Sequence, residues 1–466
     1  MSGGKTMKKT KKLLSVLLAC VITAVSLTAI ACAAGTSDDY VIKSPYEAMN
    51  SSEYKAYKGS LHTHSSVSDG NETFRNMIYG AYEQEYDILA FAEHGITGRE
   101  WNKTPFIRPL YLYQYAAGND KKCLTDEEYK AVTQGSAALS STGEARGRGM
   151  LCVPGANELN GVTVSKSHVN GYFLPENVAN MEWGFENGYD YALSLVEKYG
   201  GISHINHPSD FLDTGTDESV VSDPKNVKFF ADFLLRYDSC LGIEAVNGFT
   251  SLSRYDRILW DNLLMECLPY GKTVYGFAGP DAHDIGRLNS CYMYFMMNEL
   301  SLDALSECLE TGAFFGATHT VCANTVIGPE QDLNAPAGVN QPLAKVNSIT
   351  VKNHTITIDA ENTSYINWIA NSKVIARSDI NGDGTVELNL DDCNTDGMLY
   401  VRAELYNENG LLFTQPLTID RGEAPLEYKN EKTISQKLLF AIESTRIVVL
   451  IKKLVSLLVK KIGCGM

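Results

Sequence analysis

Short apolar runs that end in a histidine or an acid, with helical stretches between them, restrict this 466-residue chain more than any other feature. The runs are YKGSLHTH (Tyr57 to His64), YDILAFAEHG (Tyr86 to Gly95), MLCVPGANELNG with Glu158, and HVNGYFLP opening at His168. GGISHINHPSD with His204 and His207, LGIEAVNG, and TVYGFAGPDAHD with Asp281 and His283 complete the series. Helical patterns separate them: Asn71–Glu85, with Phe74, Ile78 and Tyr82 on one face, then Tyr189–Tyr199, 225–237 and 254–269. A further helix over 301–311 closes the unit near residue 325. Strand alternating with helix predicts βαβ units and an α/β barrel of parallel strands. Such a barrel gathers catalytic groups from distant sequence at the carboxyl ends of its strands.

Within LHTHSSVSDG (Leu61 to Gly70), His62 and His64 sit one residue apart at a strand end. Strand side chains alternate, so both point to one side. Asp69 follows on a turn rich in Ser and Gly that folds it back toward them. Imidazole and carboxylate together suit zinc, manganese or iron, which ionise water near neutral pH. Taken alone, the pair reads equally as ordinary hydrogen-bonded histidines. The other histidines decide: of nine in the chain, only His319 and His354 lie away from these strand ends. The candidate set is His62, His64, Asp69, His94, Glu158, His168, His207, Asp281 and His283, with His204 read as structural.

LHTHSSVSDG, AEHG, GANEL, NHP and PDAH, in that order, resemble the motifs of the polymerase and histidinol phosphatase (PHP) family over about residues 57–320. The resemblance implies a distorted (β/α)7 barrel holding two or three divalent metal ions at its mouth. It implies as ligands the nine residues of the candidate set, with Glu158 bridging. The spacing from Glu158 to His168 is similar to that of members holding three metals. Asp281 would bind one ion and accept the proton of the attacking water. Phosphatase members often carry Arg shortly after the HP pair, whereas this chain has HPSD with Asp210. Arg287, just after PDAH, or Lys166, beside His168, would replace it as the grip on phosphate, or either is a surface charge. Phosphomonoester or phosphodiester hydrolysis of a small molecule is the leading reaction. Hydrolysis of a carbamate, ester or amide is the alternative. A cell-surface binding protein that merely stores metal is the rival from another class.

The length predicts two domains with appendages. Lys8 to Lys12 precede an apolar run, Leu13 to Ala34, that ends in small residues, so residues 1–34 read as an export signal. Export makes the protein secreted or attached to the cell surface. Net charge is −16, but residues 1–34 and 430–466 each carry +5, leaving −26 for the body. That body offers no footprint for nucleic acid. The cysteines lack paired spacing and predict few or no disulfides and no cysteine metal site. Residues 50–325 form the expected barrel domain. From 335 to 425 apolar and polar residues alternate, predicting a small antiparallel β-sandwich. DINGDG (Asp379 to Gly384) within it reads as a hairpin turn or a calcium loop. Residues 430–466 read as an amphipathic helix, basic on one face, that lies on an anionic membrane or docks on a protein surface.

Overall fold

The computed structural model describes residues 40–105, 123–160, 167–176, 178, 188–212, 217–248, 253–323, 330–332 and 341–429. The expected export signal, the basic tail and Lys166 lie outside them. In chain order the first elements are β1 (Val41–Lys43), β2 (Lys55–Ser60), α1 (Phe74–Glu83), β3 (Ile88–Ala90), α2 (Asp126–Gln134), β4 (Leu151–Val153) and β5 (Asn157–Leu159). Next come β6 (Val169–Tyr172), α3 (Gly188–Lys198), β7 (Ile202–Ile205), α4 (Pro208–Leu212), α5 (Glu218–Val221), α6 (Pro224–Arg236) and β8 (Cys240–Asn247). Then follow α7 (Ser253–Cys267), β9 (Tyr275–Gly279), β10 (Cys291–Met297), α8 (Leu302–Thr311) and β11 (Phe314–Thr318). The remaining strands are β12 (Val321–Ala323), β13 (Glu330–Asp332), β14 (Lys345–Lys352), β15 (Thr355–Ala370), β16 (Lys373–Asn389), β17 (Tyr400–Asn407), β18 (Gly410–Thr414) and β19 (Leu417–Asp420).

Local chemistry sets the helix starts. The Thr73 side chain accepts the Asn76 N–H at 3.1 Å and caps α1. Asp223 accepts the Lys225 N–H at 2.9 Å, and Pro224 opens α6 with a φ already suited to a helix. Strands β7 and β8 are almost wholly buried, as parallel strands covered on both faces must be. Trp260, Leu263 and Leu264 of α7 pack in the same core as Ile243 and Phe277, and Trp260 Nε1 donates to Val274 O at 2.8 Å. Cysteines such as Cys152 and Cys291 are buried free thiols in this packing.

The parallel pairs are β2–β3, β3–β4, β7–β8 and β8–β9. Strand β6 departs from expectation by running antiparallel to both β5 and β7. Its connection from β5, residues 160–168, is shorter than the dozen or so residues that a parallel crossover needs. Strands β5 to β9 form one sheet, and β2, β3 and β4 belong to a larger one. Single bridges, Thr63↔Ala282 and His94↔Glu158, link the two, and no closed barrel is found among the described residues.

The strands from β14 to β19 pair antiparallel, as their alternation predicts. They do not stand apart. Strand β18 pairs with β11, Phe315 opposite Thr414, so one sheet runs from the first half of the chain into the last. Strand β1 pairs with β19. DINGDG is neither a hairpin turn nor a helix-flanked loop: it lies inside β16, where Tyr365 faces Asp379 and Thr363 faces Gly382 across irregular register. No helix among the described residues is long and apolar enough to cross a membrane.

Candidate metal centre

His62 and His64 fall just beyond β2 rather than within it, and Thr63 between them bridges Ala282. The His64 N–H donates to Ala282 O at 2.9 Å, locking the end of β2 to the segment after β9. The loop that follows turns sharply: Gly70 N donates to Ser65 O at 2.9 Å, and a Cβ on Gly70 would meet the Ser65 backbone at 2.7 Å. Asn71 N then donates to His283 O at 2.7 Å. Asp69 is thereby returned to the site, its Oδ2 3.0 Å from His94 Nε2 and 3.3 Å from His283 Nε2.

Glu158 is the centre of the group. Its carboxylate lies 2.9 Å from His94 Nδ1, 3.0 Å from His168 Nδ1, 3.3 Å from His64 Nε2 and 3.4 Å from His62 Nε2. His207 Nε2 stands 3.5 Å away. Asp281 Oδ1 faces His64 Nε2 at 3.1 Å and His62 Nε2 at 3.3 Å. His207 and Asp281 adopt φ of 26° and 46°, left-handed conformations that cost a non-glycine residue about 1–2 kcal/mol. Strain of this kind collects where geometry serves a site.

Burial and charge oppose each other here. Burial disfavours the His94 imidazolium, but Glu158 and Asp69 outweigh it and raise its pKa to about 9. His207 reaches about 9 by the same balance, with Glu158 and Asp281 as the anions. Burial would push Glu158 and Asp281 up, yet the imidazoles around them hold both well below the carboxylate range.

Three overlapping groups bring donor atoms close enough to share an ion: His64, Asp69, His94 and His283; His62, His64 and Asp281; His94, Glu158 and His168. His207 joins through Glu158 and packs edge-on against His168, ring centroids 5.1 Å apart. The structure thus brings all nine candidate residues together. A divalent ion fits them by a direct test. His62 Nε2, both ring nitrogens of His64, His94 Nδ1, His168 Nδ1 and Glu158 Oε2 are buried, and although imidazole and carboxylate stand as close as 2.9 Å, none of these atoms makes a well-directed hydrogen bond. Buried groups left so cost about 1–3 kcal/mol each, and this nitrogen and oxygen set suits zinc, manganese or iron.

Arg287 sits apart in character. It lies on a short 3-10 helix, Ile285–Ser290, its side chain is 45% exposed, and its Nε is 3.8 Å from Asp284 Oδ2. His204 is buried and stacks on Phe277 at 4.2 Å, outside the three donor groups. Sequence reasoning missed Glu244, Asn206 and Glu93. Asn206 Nδ2 donates to Glu158 Oε1 at 2.7 Å, and Glu93 accepts the Ser65 N–H at 3.0 Å. Glu244 Oε1 lies 2.6 Å from His62 Nδ1. Its signal was a lone carboxylate inside the apolar run LGIEAV, which only a buried partner makes tolerable.

No protein-family model and no curated protein matches the chain. Seven chains of solved structures do. One is a two-domain protein from Bacteroides vulgatus containing a predicted PHP-like metal-dependent phosphoesterase. It is 15% identical with a TM-score of 0.38, over 78% of this chain and 96% of that one. A likeness that distant carries no function across.

Proposed function

We propose that this protein is a metal-dependent hydrolase of the PHP type, and that it hydrolyses a phosphate ester on a small molecule. The supporting observation is the set of buried imidazole nitrogens that converge on Glu158 without a well-directed hydrogen bond to it. In this reading β2, β3 and β5 to β9 make a distorted seven-stranded barrel within residues 50–325, supported by the two bridges that link their sheets. Residues 335–425 make a β-sandwich domain. Export through residues 1–34, and contact of 430–466 with an anionic membrane, belong to the proposal and rest on sequence alone.

The three donor groups would hold two or three zinc, manganese or iron ions, with Glu158 proposed as the bridging ligand and His207 beside it. The chemistry such ions supply when bound is ionisation of water near neutral pH and neutralisation of charge on the leaving oxygen. The chain does the rest. Asn206 Nδ2 holds Glu158 Oε1 in place, and Asp69 spans His94 and His283. Asp281 turns Oδ1 to His62 and His64, which leaves Oδ2, reached by Asn247 Nδ2 at 3.5 Å, as the oxygen that would take a proton from the water once bound metal ions replace the imidazoles as its partners. Arg287 would offset the charge of the phosphate.

A second reading, hydrolysis of a carbamate, ester or amide, is favoured by one observation. Asp210 Oδ2 lies 3.7 Å from His207 Nδ1, an anion beside a candidate ligand that would repel a phosphate more than a neutral ester. One experiment separates the readings. Protein loaded with Zn2+, Mn2+ or Fe2+ should hold two to three equivalents and cleave chromogenic phosphate mono- or diesters. Turnover of esters or carbamates alone selects the second reading, and metal without any turnover selects the binding protein. Fewer than one equivalent with every ion defeats the metal centre.

A further inference from the structure

We infer that Glu244 is the positioning residue of this centre: it fixes the His62 imidazole so that Nε2 is presented to the metal side. The inference rests on the metal-dependent reading above. Glu244 lies inside β8 and is fully buried, where a carboxylate is tolerated only if its oxygens are satisfied. Site residues satisfy them. Oε1 is 2.6 Å from His62 Nδ1, and Oε2 accepts the His207 N–H and Asn247 Nδ2, each at 3.0 Å. An imidazole that donates from Nδ1 keeps its lone pair on Nε2. That Nε2 lies 3.3 Å from Asp281 Oδ1 and 3.4 Å from Glu158 Oε1, with no well-directed hydrogen bond to either. A carboxylate behind a ligating histidine fixes both ring orientation and tautomer.

Gly279, at the end of β9, provides an independent observation. A Cβ there would overlap Glu244 Oε1 and come within 3.1 Å of His62 Cβ, so the bare backbone makes room for the pair. The same carboxylate also holds the backbone of His207 at its left-handed φ. One buried anion thus ties the ends of β2 and β7 to β8.

The test is Zn2+ affinity of the full chain, measured by chelator competition, with circular dichroism as the check on folding. Glu244→Gln should weaken Zn2+ binding about 10- to 100-fold, and Gly279→Ala should move it in the same direction. In a His62→Ala background, Glu244→Gln should cost clearly less than in the wild type, because most of its effect passes through that ring and only the part carried by the His207 backbone remains. Where the amide variant does not fold, Glu244→Asp keeps the charge but withdraws it by one methylene, with the same expectation. Affinity within twofold of wild type overturns the inference, as does an equal loss with and without His62. Wild-type chain that takes up none of Zn2+, Mn2+ and Fe2+ overturns this inference and the metal-dependent reading together, and if only Mn2+ or Fe2+ is taken up the same comparison is made with that ion. Wild-type uptake with an indifferent Glu244→Gln overturns this inference alone.

Discussion

Replacing Arg402 with Met should destabilise the protein by about 3–5 kcal/mol, because it breaks the buried ion network joining α7 to β17. The Arg402 guanidinium is 2% exposed and lies over the Trp260 ring, 4.7 Å from its centroid. Its Nε and Nη2 grip the two Asp261 oxygens at 2.7 Å each, and Nη1 donates to Glu404 Oε1 at 2.7 Å. Tyr400 OH also donates to Asp261 at 2.6 Å, and Arg257 reaches Glu404 at 3.2 Å. Two cations thus balance two anions. Methionine fills much of the volume but leaves the cluster one charge short, with Asp261 keeping the tyrosine alone among these partners. Three charge-assisted hydrogen bonds at about 1.5–3 kcal/mol apiece set an upper bound near 9. Relaxation and water entry bring the loss down to that of breaking a buried pair. Urea unfolding of the full chain, followed by tryptophan fluorescence and circular dichroism in parallel, reads the change. Adding Asp261→Asn should recover part of it, since the stranded anion is then gone. The deficit should persist in 0.5 M NaCl, because salt screens buried pairs weakly. A loss under 1 kcal/mol, or one that salt abolishes, would refute the reasoning.

Glu158→Gln removes the central negative charge and should eject at least one ion and most activity while circular dichroism stays unchanged. Equal metal content and rate would make Glu158 a bystander. Arg287→Ala should raise KM for phosphate substrates about 10-fold and leave neutral esters alone; unchanged phosphate kinetics would remove Arg287 from the site. Lys58, held between Gln84 O at 3.0 Å and Asn289 Oδ1 at 2.7 Å, is lowered by burial to about 8 from 10.5. Between those values the unfolded chain binds the proton and the folded chain does not. Stability relative to Lys58→Met should therefore rise with pH, by about 2 kcal/mol from pH 8 to 10; urea midpoints that track each other across that range would contradict it. Deleting residues 430–466 should release the protein from anionic vesicles at low salt without changing hydrolysis. Full-length protein that ignores such vesicles would favour docking instead.

What the sequence determined by itself was local or strictly ordered. Capping residues and apolar spacing act within a few positions, so the expected Tyr189–Tyr199 and 301–311 helices appear as Gly188–Lys198 and Leu302–Thr311. The candidate ligands were legible because histidines and acids recurred at strand ends, a pattern that ordinary core packing does not produce. Pairing between distant segments left no such mark. Antiparallel β6, β1 on β19 and β18 on β11 follow from connection lengths and from which edges lie free, which no single stretch encodes. DINGDG read as a turn because Gly and Asp favour turns locally, yet the ladder to β15 carries β16 straight through it. Glu244 shows the same limit in the site itself. A single carboxylate in an apolar run has no period to betray it, and its role exists only because the fold sets His62, His207 and Gly279 around it. Local chemistry chose the candidate ligands; long-range packing decided which groups stand behind them.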